Sequence, residues 1–544
     1  MKSAIIIGSG IAGMACAIRC AAQGIRVELV SPYPSEQSQS VMASGGINAV
    51  LADHEEGDSV ACHIEDTLKG GDGLGGKAAV TGLCEHAPEI IAYLEKIGTV
   101  FSVDGVGHPA RRAFGGQSCK RTCYSGTSTG RQIVSALIME VRRLEAAGLI
   151  RRRLRSFFHS ALIRQGVCYG VLLYDDRNRK LEAAYADAVV MATGGQNALF
   201  GKTTGSTQCD GYAAGKLFLQ GVDLKNLEFI QYHPTTLLTP QKYMLISEAA
   251  RGEGGRLFYP EDGKRVYFME EKYGPRGNLM TRDVVSREIW LCRRDVFLDV
   301  SFLGEKIING RLPEIRDLCR KYRGIDITKE PIPVSPSVHF FMGGIAVHLN
   351  HETNIRNLFA AGECASMYHG ANRLGGNSLL AALYGGFVAA DAIASGGADA
   401  RRPDFSGYLK KEQHILQESM ESRSPFPVMQ IRNLAAEVMH RDMGIVREEA
   451  GLSRGIEDID YYLQAAGRIH YDSSVSMYLN YSLPGILTLA RAALTSAKER
   501  MESRGSHCRS DYPDTEEKMA AASIVTYDGG AYRVRLDKEY SYES

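Results

Sequence analysis

The pattern of apolar and polar positions resolves most clearly at the start of the chain. Residues 4–7 form an unbroken apolar run, as expected of a strand buried on both faces. The run stops at Gly8-Ser9-Gly10-Ile11-Ala12-Gly13. Residues 11–22 then carry apolar side chains at helical spacing until Gly24 ends the pattern, and residues 25–30 read as a second strand. Strand, glycine turn, helix and strand make a βαβ opening. Two later apolar runs, 188–192 and 358–361, lead into Thr193-Gly194-Gly195 and Gly362-Glu363. Three strand ends from distant parts of the chain therefore point at one site, as in a doubly wound sheet. Residues 230–339 are richer in Pro, Arg and short elements, and the pattern after 400 is helical, over 409–420, 428–439, 456–469 and 487–504. The predicted architecture is α/β. A Rossmann-like dinucleotide-binding domain covers 1–229 and 340–400, and an α+β capping domain (230–339) is inserted in it. A helical domain spans 401–510, and a polar tail (511–544) carries a short Tyr- and Val-containing segment near 522–534.

Composition changes this picture little. Lys+Arg and Asp+Glu are both 63, so no global charge favours nucleic acid or an anionic membrane. The basic cluster of Arg142, Arg143, Arg151, Arg152, Arg153 and Arg155 reads as a solvated helix end and strand start, with a partner patch as the alternative. No run of 18 apolar residues is present, so no membrane span is expected. The 12 cysteines show no iron–sulfur or zinc spacing, the closest pairs being Cys16/Cys20 and Cys119/Cys123. We expect reduced thiols in a cytoplasmic protein and no metal site. If electrons arrive through clusters, another chain must carry them.

Gly8, Gly10 and Gly13 stand directly after a strand and before a helix. The first allows the tight turn, the second lets backbone approach a pyrophosphate, and the third lets helix pack on strand. At the end of the second strand, where an acid commonly holds a ribose, stands Ser31, with Glu28 three residues earlier.

Further strings extend over most of the chain. They are Gly45-Gly46-Ile47-Asn48-Ala49, Arg121-Thr122-Cys123-Tyr124, Ala192-Thr193-Gly194-Gly195 and Leu227-Glu228-Phe229-Ile230-Gln231-Tyr232-His233-Pro234-Thr235. They continue with Ser247-Glu248-Ala249-Ala250-Arg251-Gly252-Glu253-Gly254-Gly255, Thr281-Arg282-Asp283 and His339-Phe340-Phe341-Met342-Gly343-Gly344. Last come His369-Gly370-Ala371-Asn372-Arg373-Leu374-Gly375-Gly376-Asn377-Ser378-Leu379 and Glu502-Ser503-Arg504-Gly505-Ser506-His507. In these the chain resembles the succinate dehydrogenase/fumarate reductase flavoprotein family, which also contains L-aspartate oxidase.

The resemblance implies FAD, and a serine at position 31 is common there. It implies that Asp210, Glu363, Arg373, Ser378 and Leu379 join Gly8, Gly10, Gly13, Ser31, Gly45, Gly46, Ala192, Thr193 and Gly194 around that cofactor. A dicarboxylate needs cations or donors at both ends, and arginine grips a carboxylate with two parallel hydrogen bonds. Arg373 with His339 suits one end, His233 with Ser247 the other. The implied reaction is fumarate reduction or its reverse on succinate, with hydride from reduced flavin N5 to one alkene carbon and a proton to the other. The family analogy makes Arg282 the proton donor, relayed by Glu248 and Arg251. A guanidinium is a weak acid, but hydride arrival makes a strongly basic carbon whose charge it also stabilises. A purely structural Arg–Glu–Arg network is the competing reading.

The chain also departs from the pattern. Respiratory members link FAD covalently to a histidine before the glycine pair, and Gln39 stands there, so non-covalent FAD is expected, with a lowered potential that favours fumarate reduction. Ser44 replaces the usual Gln or Glu. L-aspartate oxidases carry an acid where Phe114 stands, and a phenyl ring cannot pair with a substrate ammonium. Expected partners are fumarate or succinate, an iron–sulfur subunit and, through it, a membrane-anchor subunit at the inner face of the cytoplasmic membrane. L-aspartate oxidase, a reductase of another unsaturated carboxylate, and a non-catalytic assembly subunit remain the alternatives.

Overall fold

The computed structural model describes residues 1–53, 56–397, 402–421, 427–466, 472, 473 and 475–538. The expected boundary at 400/401, the last residues of the predicted 456–469 helix and the end of the tail lie outside the described residues.

Five parallel strands form the sheet on which the site is built, in the order β5-β4-β1-β2-β3. They are β1 (Ser3–Ile7), β2 (Arg26–Ser31), β3 (Ile150–Leu154), β4 (Ala188–Met191) and β5 (Leu358–Ala360). β1 lies at the centre and is buried along four of its five residues, which is why it reads as a continuous apolar run. Helix α1 (Ile11–Ala22) packs between this sheet and the helix Asn377–Ser395. That approach needs glycine: a Cβ on Gly386 would meet Ala12 O at 2.6 Å. Asn377–Ser395 is the one described helix long and apolar enough to cross a membrane, and here it is a core helix against α1.

A second sheet of six strands, all antiparallel, covers one end of the first. Its central pair is Ile230–Leu238 with Ile332–Phe341. It has its own apolar core, which includes Leu237, Leu257, Val285, Leu298 and Ile332. The central pair slips register between Gln231 and Tyr232 and again between His233 and Thr236. Pro234 lacks the N–H that a regular ladder needs there. Such bulges re-aim side chains, and these flank Gln231 and His233.

Four helices follow, Ser406–Glu421, Val428–Asp442, Glu449–Ala466 and Met477–Glu499. The last begins ten residues before the expected start at 487 and ends before 504. It carries Pro484 inside it, while Tyr478 stacks on Phe157 at 4.5 Å and Tyr481 packs on Tyr212 at 5.6 Å. Packing of that partly buried aromatic face outweighs the cost of an interior proline. The stretch after 511 is not a free tail. Ala522–Asp528 and Ala531–Asp537 form a hairpin whose first strand pairs with Leu224–Lys225. In the arginine cluster Arg142, Arg143, Arg151 and Arg155 are exposed, while Arg152 and Arg153 are half-buried; Arg142 pairs with Glu36, Arg143 with Glu140, Arg152 with Glu145 and Arg153 with Glu182.

Candidate active site

A cavity of about 450 Å³ opens at the carboxyl ends of β1, β4 and β5 and runs under the second sheet. At its floor the glycine turn is sterically obligatory. Gly8 has φ +112°, and a Cβ there would lie 2.1 Å from Ala192 O. A Cβ on Gly13 would lie 1.9 Å from Gly8 O, so Gly13 packs behind the cavity and does not line it. The first turn of α1 has no acidic residue, and Gly10 offers no side chain to cap it. Ser40 Oγ accepts from Ile11 N at 3.2 Å. A helix N-terminus left this open suits a pyrophosphate.

The other residues expected around the cofactor, Gly8, Gly10, Ser31, Gly45, Gly46, Ala192, Thr193, Gly194, Asp210, Glu363, Ser378 and Leu379, all line this cavity. Burial pushes the Glu363 carboxyl up to about 7, against a hydrogen bond from Phe341 N. Burial also pushes Asp210 up, although it accepts from Tyr478 OH at 2.8 Å. Two such acids want hydroxyl partners, which a nucleotide with a sugar and a polyol chain provides. The residues present therefore fit FAD. At the expected linkage position the Gln39 carboxamide accepts from Ser206 N at 2.7 Å.

Next to this cradle lies a cationic pocket. Phe114, His233, Ser247, Glu248, Arg282, His339 and Arg373 all line the cavity, and all but His339 are buried. The Glu248 carboxylate accepts from Arg282 Nη2 at 2.8 Å and Nε at 3.0 Å, and from Gly115 N at 2.7 Å. Arg251 stands behind it, 3.6 Å from the other oxygen, and donates to Asn278 O at 2.6 Å. Burial alone would raise the Glu248 pKa, but the Arg282 and Arg251 charges prevail and hold it at about 2. Burial, then Arg282, pushes the Arg373 guanidinium down, and Arg373 Nε is buried without a partner. Arg282 and Arg251 thus share one firmly ionised carboxylate while Arg373 has none in contact among the described residues, which leaves the pocket cationic and suited to a carboxylate substrate.

His233 and His339 face each other with ring centroids 5.2 Å apart. Burial first, then the Arg282 charge, depresses both well below 6.5. The Thr204 hydroxyl sits between His339 Nδ1 at 2.9 Å and Val338 O at 3.1 Å, which fixes the His339 ring beside the pocket. The Phe114 ring is wedged between Gly45 and Gly375, where a Cβ on either would sit 3.1 or 3.0 Å from it.

Sequence reasoning did not single out several residues that hold this pocket. Gln231 Oε1 accepts from both Arg282 Nη1 at 3.0 Å and Arg373 Nη2 at 2.8 Å, tying the two arginines together. It lay within a family-like string, but only the fold brings it to both. Arg112 donates to Gly45 O and Gly126 O and stacks on Tyr124 at 3.9 Å, bracing the loop under Phe114. Ser506 Oγ donates to Ala371 O at 2.8 Å, so the Glu502–His507 string buttresses the loop that carries Arg373.

A dinucleotide cradle opening onto a cationic pocket, with an internal acid between two arginines, fits an FAD-dependent oxidoreductase. The comparisons with known proteins narrow the class. The model of an FAD binding domain matches residues 3–379, and that of a fumarate reductase flavoprotein C-terminal region matches 432–542. The succinate dehydrogenase flavoprotein subunit of Bacillus subtilis is 37% identical over 536 residues, covering 94% of this chain and 92% of that protein. The L-aspartate oxidase of a Nostoc species is 32% identical over 550 residues, covering 96% and 92%. Among solved structures, the FrdA chain of E. coli quinol fumarate reductase superposes with TM-score 0.88 at 29% identity, over 99% of this chain and 97% of that one. The chain belongs to the succinate dehydrogenase/fumarate reductase flavoprotein family.

Proposed function

We propose that this chain is the flavoprotein subunit of a fumarate reductase or succinate dehydrogenase, and that Arg282 is its proton donor. The observation that supports this most directly is the Arg251–Glu248–Arg282 line ending in a pocket with Arg373, His233 and His339 beside the cofactor cradle. One substrate carboxylate lies against Arg373 and His339, the other against His233 and Ser247. Bound FAD, when reduced, supplies the hydride. Arg282 Nη1 or Nη2 delivers the proton to the other alkene carbon and stabilises the negative charge that builds there. Glu248, ionised and hydrogen-bonded to Arg282, is placed to take a proton from Arg251 and pass it to the Arg282 that has given one up, and Arg251 is then reprotonated in turn.

Phe114 favours this reading over L-aspartate oxidase, because an apolar ring closes the place where an ammonium would need an anion. Gln39 favours non-covalent FAD. No described cysteine group has cluster spacing, so electrons come from a partner. We assign that role to an iron–sulfur subunit, through which any membrane anchor would attach.

The test is anaerobic, fumarate-dependent oxidation of reduced viologen by the purified holoprotein. Arg282→Ala should retain FAD and lose about 10²–10⁴-fold in rate, the usual range for a general acid. Wild-type indifference to fumarate would sink the reading, and L-aspartate with oxygen would be tried next. Denaturation followed by ultrafiltration should release all the flavin.

A further inference from the structure

Away from the cavity, two cysteines from different elements meet at the surface. Cys62 lies in the first turn of the helix Val60–Gly70, where Ser59 Oγ accepts from its backbone N at 3.1 Å. Cys119 lies in the loop that follows Phe114. Their sulfurs and a carboxylate oxygen of Asp58 all lie within 4.8 Å of one another, and both cysteines are partly exposed. Ser118 Oγ sits 2.9 Å from the Cys62 sulfur.

Loop and helix are already clamped together around the pair. Ser118 N and Oγ both donate to Asp66 Oδ2, at 2.9 and 2.8 Å. The buried Arg121 bridges Asp58 and Asp66. The sulfurs are therefore held within 4.8 Å of each other in the reduced chain, and oxidation has to close that gap to the about 2.05 Å of a disulfide. A metal ion is the poorer occupant. Asp58 already accepts from Arg121 Nη2 at 2.7 Å and Ser59 N at 2.9 Å, and a guanidinium beside it opposes a cation.

We propose that Cys62 and Cys119 form a redox-active thiol pair, oxidised by peroxide to an intramolecular disulfide. The Cys62 thiolate attacks one peroxide oxygen and releases hydroxide, giving a sulfenic acid. The Cys119 thiol attacks that sulfur, the S–S bond forms, and water leaves with the sulfenic oxygen and the thiol proton. Two electrons pass from the two sulfurs to the peroxide. Partial burial, reinforced by Asp58 and Cys62 and opposed by Ser118, pushes the Cys119 thiol up, so Cys119 is the poorer first nucleophile toward peroxide. The other close pair, Cys16 and Cys20, is fully buried and out of an oxidant's reach.

The bond would close on the loop that positions the pocket. Two residues from Cys119, Gln117 Oε1 accepts from Phe114 N at 3.0 Å, and the adjoining Gly115 N binds Glu248. The test treats the FAD-bound chain with hydrogen peroxide, then blocks free thiols and digests without reductant. A linked peptide joining Cys62 to Cys119, lighter by two hydrogen atoms and lost after dithiothreitol, is expected. Cys119→Ser should leave a sulfenic acid at Cys62 that dimedone traps, with FAD retention reporting the fold. Recovery of Cys62 and Cys119 as thiols after an exposure that oxidises Cys292 or Cys508 overturns the proposal. So does linkage of either to a different cysteine.

Discussion

At the scale of single residues, the pocket's chemistry follows from charge held without solvent. His233 and His339 are neutral in the free site, because burial and the Arg282 charge depress both. A substrate carboxylate placed beside His339 favours its charged, doubly donating form. Binding a dianion should therefore take up protons. The KM for fumarate should fall as pH drops from about 8 to about 6, and calorimetry in buffers of different ionisation enthalpy should show net uptake. An unchanged KM in wild type, or the same slope in His339→Ala, would refute this. In the free protein the sign reverses. A histidine depressed from 6.5 contributes stability above that pH, and the contribution is lost as pH falls below it. Gln231 gives a second prediction. Gln231→Leu leaves guanidinium donors of Arg282 and Arg373 short of an acceptor, at about 1–3 kcal/mol for an unmet buried donor. The rate should fall and the KM rise together while FAD stays bound.

At the scale of elements, the first thirty residues show local pattern and tertiary role in agreement. The predicted strand, turn and helix reappear as β1, the glycine turn and α1, with the helix bounds unchanged and the second strand shifted by one residue. Gly13 is where the agreement is steric, since a Cβ there would meet Gly8 O at 1.9 Å. Gly13→Ala should push α1 from β1 and lose FAD on gel filtration; a variant that keeps stoichiometric flavin would contradict this. Prediction fails where tertiary contact overrides local preference. Pro484 weakens the helical pattern before 487, yet the helix starts at Met477 because Tyr478 and Tyr481 pack, partly buried, against distant aromatics.

For the whole molecule, the C-terminal hairpin matters more than its polar sequence suggests. Ser523 Oγ donates to the buried Glu228, and Arg500 donates to Ala521 O and Met519 O while pairing with Glu228 at 2.6 Å. Deleting residues from 520 onward would strip partners from two buried charges, and breaking such a set costs about 3–5 kcal/mol. The truncated chain should be insoluble or melt well below the full chain. A soluble truncation with an unchanged melting temperature would show that the hairpin is dispensable.

The chain's sequence by itself determined the parallel sheet, the glycine cradle and the list of candidate charged residues, because strand burial, helical period and steric need for glycine are local properties. The meeting of those charges was decided only by tertiary structure. The bulges beside Pro234, the Gln231 bridge between two arginines and the Cys62–Cys119 approach all join segments far apart in the chain. The depressed histidines and ionised Glu248 likewise depend on exclusion of water and on neighbours that only the folded packing supplies.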